Sequence, residues 1–103
     1  MYSKGDIVVV NFPFSDLTNV KKRPMVVLAV KDQDIIGCAI TSNPEVEGVE
    51  LNNFAEGNLQ LKSKIKYWQI HTFLIDIIDR KIAKINNNTY KELANKINNL
   101  FSA

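Results

Sequence analysis

Two short apolar runs rich in β-branched residues constrain the fold more than any other feature of this sequence. The first, residues 7–12, has the sequence IVVVNF, and the second, residues 25–30, has the sequence MVVLAV. Runs of this length with little polar alternation are typical of strands buried on both faces, and branching at Cβ favours an extended backbone. We therefore predict two strands at the centre of a sheet that is covered on both sides.

The rest of the chain predicts shorter strands separated by turns. Residues 13–23 carry Pro, Ser, Asp, Thr and Asn and then a basic run, which indicates a long exposed loop. A third strand is predicted at residues 35–41, because a proline follows closely and proline cannot donate to a sheet ladder. The remaining predicted elements are a short strand around Val49, a loop at residues 52–58 and a bent strand at residues 59–76.

A helix is predicted near the C-terminal end of the sequence. Thr89 and Glu92 have the spacing of a capping box, so the helix is expected to start there. An apolar stripe recurs at helical spacing and is expected to pack on the sheet; it consists of Tyr90, Leu93, Ala94, Ile97, Leu100 and Phe101. The predicted fold is mostly β, a small barrel closed by a C-terminal α-helix, and residues 1–103 are predicted to form a single domain.

Composition and the N-terminal sequence favour a cytoplasmic protein with no membrane partner. No apolar run approaches the roughly 20 residues that a membrane helix needs, and residues 1–6 lack the features of a secretory signal. The one cysteine, Cys38, lies in an apolar run, which indicates a core position. The net charge of +2 is too small for a protein that binds duplex DNA by charge alone.

Several kinds of chemistry lack the residues that they need. A catalytic zinc takes three His, Cys or carboxylate ligands, and the sequence has one His and one Cys. The four glycines are scattered, so the sequence contains neither a phosphate-binding loop nor a nucleophile elbow. We therefore expect no metal and no cofactor.

Polar residues occur where two of the predicted buried strands begin and end. Arg23 precedes Pro24 at the start of one strand, and Thr41 and Ser42 end another. A guanidinium fork donates two parallel hydrogen bonds to phosphate oxygens, and hydroxyl groups donate to the oxygens that are left. These residues could stabilise a crowded, charged phosphorus centre. A solvated basic loop and a simple turn explain the same residues.

Five segments, taken in order, carry a family resemblance. They are KGDIVVV at residues 4–10, FPF at 12–14, KRPMVVL at 22–28, AITS at 39–42 and QIHT at 69–72. Over roughly the whole chain they resemble the PemK/MazF family of toxin endoribonucleases. The resemblance implies a small Src-homology-like barrel of the CcdB/MazF type with a C-terminal helix. It also implies a homodimer, neutralised by an acidic antitoxin protein, that cleaves single-stranded RNA, typically mRNA, without a metal.

The resemblance also assigns roles to single residues. Arg23 matches the family's catalytic arginine, which precedes a proline at the start of the second strand, and Thr41 matches its catalytic threonine. In this chemistry the ribose 2′-hydroxyl attacks the adjacent phosphorus and leaves a 2′,3′-cyclic phosphate and a 5′-hydroxyl. Arginine stays protonated in proteins and is a poor general base, so the base is left unassigned.

Substrate contacts are expected from residues near this pair, namely Ser42, Lys21, Lys22, Gln69 and His71. Gln69 and His71 share one face of a predicted strand, and imidazole titrates near neutral pH, although a hydrogen-bonded histidine at a barrel edge is an ordinary structural feature. Many family members have Glu-Gln-Ile-Arg-Thr where this chain has WQIHT at residues 68–72, so the family's RNA preference is not carried over.

One further strand pattern has two interpretations. Lys62, Lys64 and Lys66 alternate along a predicted strand, and Trp68 follows on the same face. A row of cations that ends in an aromatic ring suits single-stranded nucleic acid. Lysines on an edge strand also block unwanted sheet pairing, which is the plainer explanation.

Two other functions are compatible with such a barrel. The first is a gyrase poison of the CcdB type, but those proteins end in Trp-Gly-Ile, whereas this chain ends in Leu-Phe-Ser-Ala. The second is a barrel that only binds RNA or protein, in which Arg23 and Thr41 serve as loop anchors.

Overall fold

The computed structural model describes residues 1–13 and 20–102. They form seven strands and one α-helix, with a short 3-10 helix at Ile75–Ile77. The elements in chain order are β1 (Asp6–Pro13), β2 (Val20–Lys31), β3 (Asp34–Thr41), β4 (Val49–Leu51), β5 (Phe54–Gly57), β6 (Ser63–Leu74), β7 (Ile78–Ile85) and α1 (Asn87–Phe101).

The strands form one antiparallel sheet in the order β4-β6-β3-β2-β1-β7-β5. Its two end strands, β4 and β5, follow each other in the chain and are joined only by Asn52 and Asn53. The sheet must therefore curl until its ends lie near each other, which gives a nearly closed barrel. The predicted fold, a small mostly β barrel with a C-terminal helix, is confirmed.

The strands β1 and β2 are buried on both faces, as their apolar runs predict. Ile7 and Val26 belong to an inner cluster that also contains Leu93 of α1. Val8 and Met25 belong to a second cluster on the opposite face, which the 3-10 helix helps to cover. Alternate residues of each strand thus enter different clusters, which explains why the runs show no polar alternation.

Two of the predicted loops are partly strands. β2 begins at Val20 because residues 20–23 pair with residues 10–13, which extends the β1–β2 ribbon. The other part of this predicted loop, residues 14–19, lies outside the described residues. Phe54–Gly57 forms β5 by pairing with β7, although its composition predicts a loop. In addition, β6 begins at Ser63 rather than at residue 59, and β7 lies where no strand is predicted.

The N-terminus of α1 differs from the predicted capping box. Asn86 is the N-cap, and its side-chain oxygen accepts a hydrogen bond from the Thr89 backbone N–H at 2.8 Å. Thr89 is therefore the third residue of the helix rather than its cap. The prediction failed because asparagine is as good a cap as threonine and stands three residues earlier.

The apolar stripe of α1 packs on the barrel over most of its length. Leu93 is fully buried, and Tyr90 and Ile97 pack against the inner cluster. The expected packing is confirmed for these residues, whereas Leu100 and Phe101 at the end of the stripe are exposed. Within the described residues, no helix is long and apolar enough to cross a membrane.

A buried carboxylate ties β1 to β7. Asp6 is 1% exposed and accepts a hydrogen bond from the Ser3 backbone N–H at 2.9 Å. Lys81 and Lys84 of β7 each place Nζ 3.3 Å from Asp6 Oδ1. Lys81 also contacts Glu56 of β5 at 3.0 Å, so one ionic network joins three neighbouring strands.

Candidate active site

The candidate catalytic residues are the fourth residue of β2, Arg23, and the last residue of β3, Thr41; contrary to the prediction, Arg23 does not begin its strand, because β2 starts at Val20. Arg23 pairs with Val10 of β1, and on its other side β2 pairs with β3 from Met25 and Ala39 onward. If that antiparallel register is continued by two residues, Arg23 lies across from Thr41. The turn at residues 32–33 pairs Lys31 with Asp34, a register that would place Arg23 across from Ser42. The bulge between Val27 and Ala29 shifts this register by one residue, and Arg23 then lies across from Thr41.

Two cavities meet at this open end of the hairpin. Their volumes are about 390 Å³ and 580 Å³, and four described residues line both of them. These shared residues are Arg23, Pro24, Ile40 and Thr41. A group held by Arg23 and Thr41 would therefore have open space on either side.

The smaller cavity brings together several of the predicted substrate residues. Gln69 and His71 line it with Arg23 and Thr41, as does Lys66. Phe12 forms another wall, and its ring centroid lies 5.6 Å from that of His71. The predicted common face of Gln69 and His71 thus opens toward the candidate catalytic pair.

A bulge in β6 shapes this smaller cavity. Cys38 and Ile40 of β3 are two residues apart, yet they pair with Ile70 and Ile65 of β6, which are five residues apart. Residues 66–69 therefore bulge out of the ladder, and a bulge of this kind re-aims the side chains that it carries.

The lysine row predicted along β6 is wrong for the same reason. Lys62 precedes the strand, and Lys66 and Trp68 both lie in the bulge, so the regular alternation that the row requires ends after Lys64. Lys64 pairs with strands on both sides, and its ammonium donates to the backbone oxygens of Pro44 and Val46 at 3.4 and 3.0 Å. Lys64 therefore belongs neither to a continuous RNA-binding row of lysines nor to an edge strand that lysines protect from unwanted pairing.

The larger cavity has a cationic wall. Lys22, Arg23 and Arg80 line it together with Thr41 and Ser42. Lys22 and Arg80 both contact the carboxylate of Asp79, and the distance from Lys22 Nζ to Asp79 Oδ2 is 3.2 Å. Hydrogen bonds from Lys22 and then from Arg80 hold the pKa of Asp79 below its usual value.

Thr41 is oriented by the turn that follows it. Its Oγ1 accepts a hydrogen bond from the Asn43 backbone N–H at 3.1 Å. Asn43 in turn accepts from the Glu45 backbone N–H through its side-chain oxygen at 3.0 Å. Because the backbone uses only a lone pair of the Thr41 oxygen, its O–H is left to donate to a ligand.

The structure places the other predicted residues as follows. Lys21 pairs with Phe12 in the β1–β2 ribbon and lines neither cavity. Cys38 is fully buried, and desolvation raises the pKa of its thiol to about 12, so the predicted core position is confirmed. No cluster of three or more His, Cys, Asp or Glu side chains suited to a metal occurs among residues 1–13 and 20–102.

Sequence reasoning missed Arg80 and Asp79 because β7 itself was missed. The available signal was composition: the chain contains only two arginines, and the second one is Arg80. Arg23 and Arg80 line one cavity because β7 pairs with β1, and no local sequence pattern specifies that pairing.

Comparison with solved structures defines the class of protein. The chain is similar to MazF in a MazE–MazF crystal structure from Deinococcus radiodurans, at 17% identity and a TM-score of 0.78 over 96% of this chain and 94% of that one. It is also similar to the Mycobacterium tuberculosis toxin MazF-mt6, at 20% identity and a TM-score of 0.70 over 93% and 95% of the chains. A mycobacterial endoribonuclease in complex with its cognate antitoxin gives 8% identity and a TM-score of 0.72 over 96% and 93%. The fold is therefore that of the MazF toxins.

The family follows from the sequence match. The family of PemK-like, MazF-like toxins of type II toxin-antitoxin systems matches residues 3–101. The chain belongs to this family, and the resemblance seen in the sequence is confirmed. A comparison with curated protein sequences gives no match.

Proposed function

We propose that this chain is a toxin endoribonuclease that cleaves single-stranded RNA, including mRNA, without a metal ion. The observation that carries the proposal is the position of Arg23 and Thr41 at the junction of two open cavities in a chain of the PemK/MazF family. A strand of RNA can cross that junction with one nucleotide on each side of the scissile phosphate.

In the proposed reaction the substrate supplies its own nucleophile. The ribose 2′-oxygen forms a bond to the adjacent phosphorus, the bond from phosphorus to the 5′-oxygen breaks, and the products are a 2′,3′-cyclic phosphate and a 5′-hydroxyl. The proton of the 2′-hydroxyl leaves with a base, and the 5′-oxygen takes up a proton. The protein must therefore stabilise extra negative charge on the non-bridging oxygens.

Arg23 and Thr41 supply this stabilisation. Arg23 is exposed, and no carboxylate within residues 1–13 and 20–102 forms an ion pair with it, so its planar fork is available to two phosphate oxygens. The Thr41 hydroxyl donates from the opposite strand, and Ser42 adds a second hydroxyl in the larger cavity.

The smaller cavity is proposed to hold the nucleoside on one side of the cut. His71 lies there with Gln69, and the Phe12 ring beside His71 gives a surface on which a base can stack. His71 is the candidate to exchange a proton with the substrate, because it lines the cavity with Arg23 and Thr41 and an imidazole can both accept and donate a proton. Lys22 would contact RNA in the larger cavity. Lys21, the preceding residue of β2, would contact RNA outside that cavity.

The proposed partners follow from the family and from charge. The solved relatives include a toxin bound to its cognate antitoxin. We expect this chain to act in the cytoplasm as a homodimer and to be neutralised by an acidic antitoxin, whose carboxylates suit the cations around Arg23.

The test is a cleavage assay on a pool of single-stranded RNAs of mixed sequence, carried out in excess EDTA. We expect cuts at short defined sequences, with 5′-hydroxyl ends that accept an adapter only after treatment with polynucleotide kinase. Arg23→Lys, purified in parallel, controls for contaminating nucleases; it keeps the charge but loses the fork, so the rate should fall by about 10²-fold or more.

Each other outcome identifies a different error. Activity that EDTA abolishes and a divalent ion restores would overturn the metal-independent mechanism. RNA that is bound but never cut would make the protein a non-catalytic binder. Equal cutting by the parent and Arg23→Lys would remove Arg23 from the site.

A further inference from the structure

Both arginines of the chain line the same cavity. The sequence contains eleven lysines but only Arg23 and Arg80 as arginines, and these two are 57 positions apart. They meet in the 580 Å³ cavity at the open end of the β2–β3 hairpin. The proposed reaction uses Arg23 and leaves Arg80 without a role.

Strand pairing sets the spacing between the two arginines. Val9 of β1 pairs with Pro24 of β2 on one side and with Arg80 of β7 on the other. Because neighbouring strands are about 4.8 Å apart, the backbones of Pro24 and Arg80 are about 10 Å apart. Arg23 precedes Pro24 in β2, and because both arginines line this cavity, both long side chains can reach one ligand that spans this part of the rim.

The charge of this wall is positive. Lys22, Arg23 and Arg80 are the charged residues among the described residues that line the cavity, and no carboxylate lines it. Asp79 contacts Lys22 and Arg80, which fixes where the Arg80 guanidinium lies. The side chain of Arg80 is 60% exposed, and a guanidinium has five N–H donors, so donors remain for an incoming anion.

Another part of the cavity lining is suited to a base. Leu59 and Leu61 line it together with the amide side chains of Asn58 and Gln60, and Leu61 is exposed. An apolar surface beside amide groups, in the same cavity as three cations, matches the parts of a nucleotide, which has a flat base and a charged phosphate.

We propose that Arg80 is a second RNA-binding arginine, which binds the phosphodiester next to the scissile one while Arg23 and Thr41 hold the scissile group. The assignment rests on the proposed function, because it takes single-stranded RNA as the ligand. It adds that the strand leaves the catalytic pair through the larger cavity, along the β1–β7 side of the rim.

The experiment measures binding of fluorescent single-stranded oligonucleotides of mixed sequence in which every 2′-oxygen is methylated, so that they cannot be cut. Arg80→Gln should weaken binding by roughly tenfold and reduce the slope of log Kd against log salt by about 0.7, because one phosphate contact is lost. In single-turnover cleavage of unmodified RNA, the concentration dependence should shift while the maximal rate changes by less than about threefold.

The matched control is Lys31→Gln. Like Arg80→Gln, it removes one exposed cation from a strand of the barrel, but Lys31 is the last residue of β2 and lies at the other end of the hairpin. Its affinity and salt slope should equal those of the parent. Arg80→Lys should keep the salt slope and recover part of the affinity, because the charge stays while the fork is lost. Circular dichroism and thermal melting check that all three variants are folded.

The outcomes separate this assignment from the proposed function. If the parent binds and cuts RNA and Arg80→Gln binds with unchanged affinity and salt slope, the assignment to Arg80 is wrong and the endoribonuclease proposal stands. If the parent binds without cutting, the endonuclease proposal fails, and the same binding comparison still decides on Arg80. If the parent binds no RNA, both are overturned.

Discussion

The Thr41 hydroxyl has one hydrogen bond within the protein and a second one proposed to the substrate, and measurements of unfolding and of cleavage report on them separately. Its Oγ1 accepts from the Asn43 backbone N–H, and its O–H is proposed to donate to the substrate. Thr41→Val removes both contacts, so cleavage should fall by about 10²-fold and the free energy of unfolding by about 1 kcal/mol. Thr41→Ser retains the hydroxyl and should keep most of the activity, as measured by single-turnover cleavage and urea unfolding.

The control for Thr41→Val is the same substitution at Thr72, an exposed residue of β6 that lines neither cavity. Thr72→Val should leave cleavage unchanged. If Thr41→Val is folded and cuts RNA at the parental rate, the Thr41 hydroxyl takes no part in the reaction.

For single residues of the candidate site, the position in the fold can be predicted from the sequence in some cases and not in others. The catalytic role of Arg23 and Thr41 stays a prediction, but their placement beside buried strands could be predicted, because each stands next to an apolar run. Arg80 and Asp79 could not, since their position next to Lys22 depends on the pairing of distant strands. Lys21 and Lys22 look alike in the sequence, and only the structure shows that Lys22 lines the larger cavity and that Lys21 lines neither cavity.

Among the elements, the strands with uninterrupted apolar runs are predicted best. β1, β2 and β3 are all located, because residues buried on both faces leave a signal that needs no partner. β5 and β7 are not located: only half of the residues in each are apolar, and they become strands by pairing with each other, while β7 also pairs with β1. Their stability comes from tertiary contacts, which a local pattern does not record.

The junction between β1 and β7 offers a test of that tertiary contribution. Asp6 is buried and is contacted by Lys81, Lys84 and the Ser3 backbone N–H. Asp6→Asn keeps the shape but removes the charge, so the free energy of unfolding should fall by roughly 2 kcal/mol, because hydrogen bonds from charged donors are weakened in a buried position. Urea unfolding followed by circular dichroism measures the change.

Asp76→Asn is the matched control for Asp6→Asn. Asp76 is exposed in the 3-10 helix, and within the described residues its side chain forms no ion pair. Its substitution should change the free energy of unfolding by less than about 0.5 kcal/mol. An equal, small effect at both positions would mean that the Asp6 network adds nothing to stability.

At the scale of the whole molecule, closure of the barrel follows from topology rather than from any segment. The alternating clusters on the two faces of β1 and β2 indicate a sheet covered on both sides, which is predictable. That β4 and β5 lie at opposite ends of the sheet order yet are neighbours in the chain is visible only once every pairing is known. The rim where the two cavities meet is a product of this closure.

The surface of the barrel predicts self-association. The apolar stripe of α1 extends past the contacts that bury Leu93 and ends in Leu100 and Phe101, which are 45% and 76% exposed. Apolar side chains grouped at one end of a helix favour a protein interface, and a twofold dimer is the commonest way to cover them. We expect light scattering at micromolar concentration to give twice the protomer mass of 11.7 kDa.

The double variant Leu100→Lys with Phe101→Lys should shift the protein toward the monomer, whereas Leu61→Lys, which alters an exposed leucine at the cavity, should not. A parental monomer, or a dimer that the helix variant leaves intact, would show that the end of α1 is not the interface.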